Sequence, residues 1–200
     1  AQLEKEKARK TALTLAIRAF NEKPKKGVKL LLQGGFMASD SPEDIARFLI
    51  SEPRLDKAQI GEYLGEGEPK YIEIMHAFVD TMDFTKRRFV DALRQFLQSF
   101  RLPGEAQKID RFMLKFANRY VMGNPNAFAN ADTAYVLAYS VILLNTDLHS
   151  AKIARRMTKE DFIKNNRGIN DNAYLPDEYL IGIYDEIAGN EIVLKSEREA

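Results

Sequence analysis

Cysteine is absent from the 200 residues. That removes a disulfide framework, a cysteine zinc site and a thiol nucleophile, and it suits a reducing compartment. Histidine is scarce: His76 and His149 are the only two. No HExxH pair exists, so a metal hydrolase is not expected, and each ring reads as a surface or locally bonded group. There is no GxxxxGK[ST], no dinucleotide fingerprint and no GxSxG. Gly65-Glu66-Gly67 is an acidic turn, poor at holding phosphate. Aligning Gly168 with the obligatory glycine of a calcium loop puts Ile163 at the first ligand position. Residues 165–171 therefore read as Asx-type turns, and neither a metal nor a cofactor site is expected. Charge of one sign is also lacking. The net charge of +1 argues against a chain that binds nucleic acid as a whole. The most apolar stretch, Ala134–Leu144, has eleven residues, and a bilayer span takes about 20. Membrane contact would be peripheral or through a partner. The start, Gln2 to Lys10, mixes Glu, Lys and Arg before any apolar run, unlike a secretory leader.

Helix signals are plentiful, and strand alternation is nearly absent. The chain is 45% hydrophobic and 30% charged, the balance of a folded globular protein. Leu13, Ile17 and Phe20 form a helical stripe. Gly34-Gly35 stops a short helix through Val28 to Leu32. Ser41-Pro42-Glu43-Asp44 supplies an N-cap, a first-turn proline and two acids. Asp56 and Gln59 have capping-box spacing, and Gly65 can end that helix. Pro69 can open a helix carrying Ile72, Met75, Phe78 and Val79. Phe89, Leu93, Phe96 and Leu97 mark another. Thr158 to Asp161 reads as a cap. Pro176 can start a last helix with Tyr179, Leu180, Ile183, Tyr184 and Ile187. The run 134–144 is apolar on every side, which predicts a central, buried helix. The fold class is all-α: about ten helices, no sheet, and no fixed repeat. Segments before residue 100 are short and those after 104 longer. This predicts one two-lobed body, 1–101 and 102–190, with a groove between the lobes and a tail, 191–200, running onward. Lys23 to Lys29 is a basic cluster, read as a solvated loop in preference to a membrane or phosphate contact.

The most informative stretch is FRLPGEAQKIDR, residues 100–111. It sets Glu105 after a Pro-Gly turn at the mouth of a helix. Ile109, Phe112, Met113, Phe116, Ala117 and Tyr120 then recur on one helical face. An acid there can complement the helix dipole, worth about 0.3–1 kcal/mol, or it can project as a tool. Spacing alone leaves both readings open. Likewise Tyr135, Tyr139, Ile142 and Leu143 can be core or the lining of a groove.

Residues 100–111 resemble the first signature of the Sec-seven domain, the module that catalyses nucleotide exchange on Arf GTPases. DTAYVLAYSVILLNTDLHS, residues 132–150, resembles the second. The spacing between them fits, as do Asp44-Ile45-Ala46, Tyr63-Leu64-Gly65, the Phe78 to Phe84 segment and Asn166 to Asn170. The wording around Asp147-Leu148-His149-Ser150 is similar to the large, late-Golgi class; small members usually carry Asn where Ser150 stands. The resemblance implies an all-α superhelical body of about ten helices with a hydrophobic partner-binding groove. It implies that Glu105 is a "glutamic finger". The implied partner is an Arf-family GTPase, GDP-bound or nucleotide-free, and the resemblance implies that it is gripped by Tyr135, Tyr139, Ile142 and Leu143, with Asp110 and Ser150 as further contact positions. Tyr139, Ser140, Asp147 and Met157 match positions associated with brefeldin A sensitivity. Exchange breaks no covalent bond, so a conventional enzyme is not expected. The implied address is cytoplasmic, peripheral at Golgi membranes.

Overall fold

The computed structural model describes residues 1–152 and 155–194. Ten α-helices run through them: α1 (Gln2–Glu22), α2 (Pro24–Gln33), α3 (Pro42–Ser51), α4 (Lys57–Leu64), α5 (Pro69–Asp80), α6 (Phe89–Gln98), α7 (Ala106–Gly123), α8 (Ala131–His149), α9 (Lys159–Asn165) and α10 (Asp177–Gly189). Among the described residues there is no strand. Asn170 and Ala173 form an isolated bridge within a turn. The caps are chemically specific. Ser41 Oγ accepts from the Asp44 amide at 3.2 Å, with Pro42 in the first turn. Thr158 and Asp161 close a reciprocal capping box at 3.1 Å each way. Thr158 is the main reason the Asp161 carboxyl titrates below the usual carboxylate range. Gly35 turns the chain out of α2 at φ 72°, a region that costs glycine nothing.

Two compact units emerge. The first holds residues 1–82 and 99–112, the second 83–98 and 113–194. In the first, α1 packs on α2 and α3 on α5, burying Phe20, Leu31, Ile45, Leu49 and Phe78. In the second, Phe116 is fully buried and meets Phe84, Phe89 and Phe96 with ring centroids 5.3, 5.8 and 5.0 Å away. Such aromatic pairs add stability beyond area burial. Tyr120 Oη donates to Arg87 O at 2.8 Å.

Two expectations change. α8 is not buried all round. Leu137, Ala138, Val141 and Leu144 are buried, but Val136 is 40% and Leu143 64% exposed. An apolar composition does not distinguish a side covered by its own core from one left uncovered. The N-cap of α8 is Asn130, whose Oδ1 accepts from the Thr133 amide at 3.1 Å; Asp132 lies inside the first turn.

Residues 191–194, expected to begin a tail, are fastened down. Asn145 is buried on α8; its Nδ2 donates to Ile192 O at 2.9 Å, and its Oδ1 accepts from Ile192 N at 2.8 Å. Arg94 donates to the carbonyls of Asn190 and Glu191, both at 2.8 Å. Ile192 is 1% exposed, so both its backbone groups would be buried unpaired without Asn145. Asn145→Ala is therefore expected to cost about 3 kcal/mol, read as a lower urea midpoint; an unchanged midpoint contradicts the pairing. The rest of the expected tail, 195–200, lies outside the described residues.

Candidate functional site

Glu105 stands immediately before α7, and its carbonyl accepts from the amides of Lys108 and Ile109, both at 3.0 Å. Its backbone therefore does the work of an N-cap. The side chain is 60% exposed. Among the described residues its carboxylate has one charged neighbour, Lys108 Nζ at 3.9 Å. That is longer than a hydrogen bond, and a solvated pair of this kind contributes little. The acid is thus available while its turn is fixed.

The fixing comes from both sides of the turn. Phe100 is buried, stacked on Phe112 at 4.7 Å and edge-on to Phe78 at 6.0 Å. The Arg101 amide donates to Lys57 O of α4 at 3.0 Å. Arg101 O presses on Gly61 so closely that a Cβ there would lie 1.8 Å from it. Pro103 is buried and lies beside Gly65. Arg111, six residues past Glu105, donates from Nη2 to Gly65 O at 2.7 Å. Asp110 is half-buried one position earlier. This chain of packing and hydrogen bonds lies wholly within the first unit.

The α8 residues lie in the second unit. Tyr135, Tyr139 and Ile142 are half-buried, and Leu143 is exposed. At spacings of 4, 3 and 1 they share one side of the helix. The two tyrosine rings meet edge-on at 5.1 Å, which orders the upper part of that side. Two helical turns on, the end of α8 is tied to the segment before α9. The Asp147 carboxylate accepts from the Met157 amide. Arg156 donates to Asp147 O and Ser150 O, neutralising carbonyls at the negative end of the helix. Tyr184 Oη, from α10, donates to Met157 O at 2.6 Å. The structure thus joins Asp147, Ser150 and Met157. Ser140 sits seven residues before Asp147 on the same side, about 10 Å along the axis. A depression of about 340 Å³ is lined by Asp147, Arg155, Arg156, Met157, Asp161 and Asn165. His149 is locally bonded: its Nε2 lies 2.6 Å from Ile187 O, and since a carbonyl only accepts, that nitrogen carries the proton.

Gly61, Arg111 and Arg156 were not singled out from sequence, and Tyr184 was read only as part of the stripe of the last helix. Only Gly61 carried a signal: a glycine inside the short helix KAQIGEYL is a poor helix former, and usually has a packing reason there.

Residues 9–192 match the model of the Sec7 domain family. The chain is 61% identical over 198 residues to the Schizosaccharomyces pombe ADP-ribosylation factor guanine nucleotide-exchange factor sec71, covering 99% of this chain and 11% of that relative. The chain thus spans about a tenth of the curated relatives it matches. Among solved structures, the Sec7p catalytic domain superposes with a TM-score of 0.87 at 57% identity, covering 90% of this chain and 95% of that one. A Sec7 domain bound to ARF1-GDP and complexed with brefeldin A superposes with a TM-score of 0.88 at 40% identity, covering 94% and 96%. The ten helices, the match across residues 9–192 and these likenesses lead to one conclusion: the chain belongs to the Sec7 domain family.

Proposed function

We propose that this chain is a guanine-nucleotide exchange domain for Arf-family GTPases, with Glu105 as the residue that loosens the bound nucleotide. The observation that carries the reading is an exposed carboxylate on a turn braced from both sides. Its support is the family membership, together with relatives named as ADP-ribosylation factor exchange factors. A small GTPase holds GDP through phosphate-binding amides, a lysine and Mg²⁺, which needs near-octahedral oxygen ligands. A carboxylate pushed toward the β-phosphate repels its charge and offers that lysine a substitute partner. At an effective dielectric near 20, two unit charges ~4 Å apart interact by about 4 kcal/mol, roughly a thousandfold in a release rate. No covalent bond changes, so the domain acts by favouring the nucleotide-free GTPase.

The uncovered side of α8 supplies the grip. Tyr135, Tyr139, Ile142 and Leu143 present apolar surface to the GTPase, with Asp110 and Ser150 as polar contacts. A helical scaffold that merely binds its partner would share this grip but leave nucleotide release unchanged. Release of fluorescent GDP from Arf, with and without the chain, separates the two: acceleration is expected, and binding without acceleration contradicts the proposal.

The same site makes the chain a target for brefeldin A under this reading. Tyr139, Ser140, Asp147 and Met157 form a brefeldin A site completed by Arf–GDP, the combination named in the solved relative. Saturating brefeldin A is expected to reduce the exchange rate at least tenfold, the effect of about 1.4 kcal/mol or more of added stability in the stalled complex. An unchanged rate, with an Arf known to bind the drug, contradicts that site. The domain works on the cytoplasmic side of Golgi membranes, of the trans-Golgi by its likeness to the large class, and loads Arf with GTP for coat recruitment. No helix among the described residues is long and apolar enough to cross a membrane.

A further inference from the structure

Charge is unevenly divided along the chain. Residues 1–33 hold nine Lys or Arg and three Glu, a net of +6, whereas the whole chain carries +1, which leaves −5 on residues 34–200. All nine cations are exposed: Lys5, Lys7, Arg9, Lys10 and Arg18 on α1, Lys23 between the helices, and Lys25, Lys26 and Lys29 on α2. The cluster at 23–29 is therefore helical for most of its length, not the solvated loop expected from sequence. α2 has no acid in its first turn, where Lys25 and Lys26 sit. That opposes the helix dipole, and Lys25 to Lys29 and Lys26 to Lys29 add like-charge neighbours. Lys25 is compensated by Glu66 and by the Tyr71 ring at 5.1 Å, but among the described residues Lys26 and Lys29 break the local rules with no such gain, which points to a use outside the fold.

We infer that the α1–α2 hairpin docks on an anionic lipid bilayer. The features favour that partner over others. Seven of the nine cations are lysines, compact point charges without the planar fork that selects individual phosphates or carboxylates. Three of them lie on α1, a helix of 21 residues, about 30 Å long, and four lie between the helices or on α2, a spread of charge that suits an extended anionic surface. The only aromatic residue in 1–33, Phe20, is fully buried, which leaves nothing to stack a base. Leu3 and Leu15 on α1 are 66% and 55% exposed, two separate apolar side chains beside the cations. Lys25 has an ion-pair partner, Glu66 at 3.6 Å, a loose pair that a bilayer charge can replace.

Co-sedimentation with vesicles tests this without any GTPase, so its outcome is independent of exchange activity. The 200-residue chain is expected to bind phosphatidylcholine vesicles carrying about 30% phosphatidylserine, to ignore pure phosphatidylcholine, and to release at about 0.5 M salt. Joint replacement of Lys23, Lys25, Lys26 and Lys29 by Gln is expected to reduce partitioning about tenfold or more, with circular dichroism unchanged. The variant Lys86→Gln, on the second unit, is expected to bind like the parent. Four results overturn the inference: no binding by the parent chain, equal capture by neutral vesicles, full binding by the quadruple variant, or equally lysine-dependent binding of soluble polyglutamate, which would make the partner an acidic protein.

Discussion

A Glu105→Lys chain is expected to melt within about 2 °C of the parent, yet to lose the acceleration of GDP release from Arf. The stability half follows from exposure: the carboxylate is solvated and its loose pair with Lys108 is worth at most a few tenths of a kcal/mol. The cap survives because it is made by the Glu105 carbonyl, which any residue supplies. The activity half follows from sign. Lysine at this point attracts the phosphate and repels the GTPase's own lysine, reversing both effects assigned to the carboxylate. An interaction of about 4 kcal/mol is removed and replaced by one opposing release, so the rate should fall by about a thousandfold or more. The readout is fluorescent-nucleotide release beside a thermal melt. A folded Glu105→Lys chain that still exchanged would remove Glu105 from the mechanism; a variant that failed to fold would refute the exposed, lightly paired description.

Gly61→Ala should behave in the opposite way and damage the scaffold before the chemistry. The added methyl would meet Arg101 O at 1.8 Å, and the obstacle is backbone, not a side chain that can swing aside. Either α4 moves or the segment 100–103 lifts, and the Arg101–Lys57 hydrogen bond goes with it. Overpacking of this kind costs about 3 kcal/mol, which lowers the melting temperature by about 10 °C in a chain this size. Exchange should fall in a preparation still folded at low temperature, because the turn that aims Glu105 is displaced. Gly182→Ala is the control: nothing lies within 4 Å of its Cβ position, and in a helix interior alanine should add up to about 1 kcal/mol. Similar melts for the two variants would contradict the brace.

Which parts of the molecule could be read from sequence follows from the range of the interactions. Ser41 with Pro42, Thr158 with Asp161, and the Gly34-Gly35 stop are local signals, and their capping bonds form where those signals place them. The ten helices follow from the 3.6 period and from such punctuation. The brace behind Glu105 was not readable, because Gly61 and Arg101 are forty residues apart and neither residue type announces the other. Asn145 was hidden for a related reason: a single amide at the end of an apolar run does not say that residue 192 will pair with it. Composition predicted burial of α8 on every side and left Leu143 open between core and groove lining, since Val136 and Leu143 are as apolar as the buried Leu137 and Leu144. For the candidate site, the spacing around Glu105 placed an acid at a helix start. The resemblance assigned it a role, and neither gave the supports that hold it.

The most direct measurement is a crystal structure of this chain bound to nucleotide-free Arf. The proposed mechanism requires the Glu105 carboxylate inside the emptied nucleotide cavity, within about 4 Å of the GTPase's phosphate-binding lysine, the separation at which one charge pair supplies the required energy. A carboxylate still turned toward Lys108 on its own helix, with the cavity open in front of it, would contradict the mechanism.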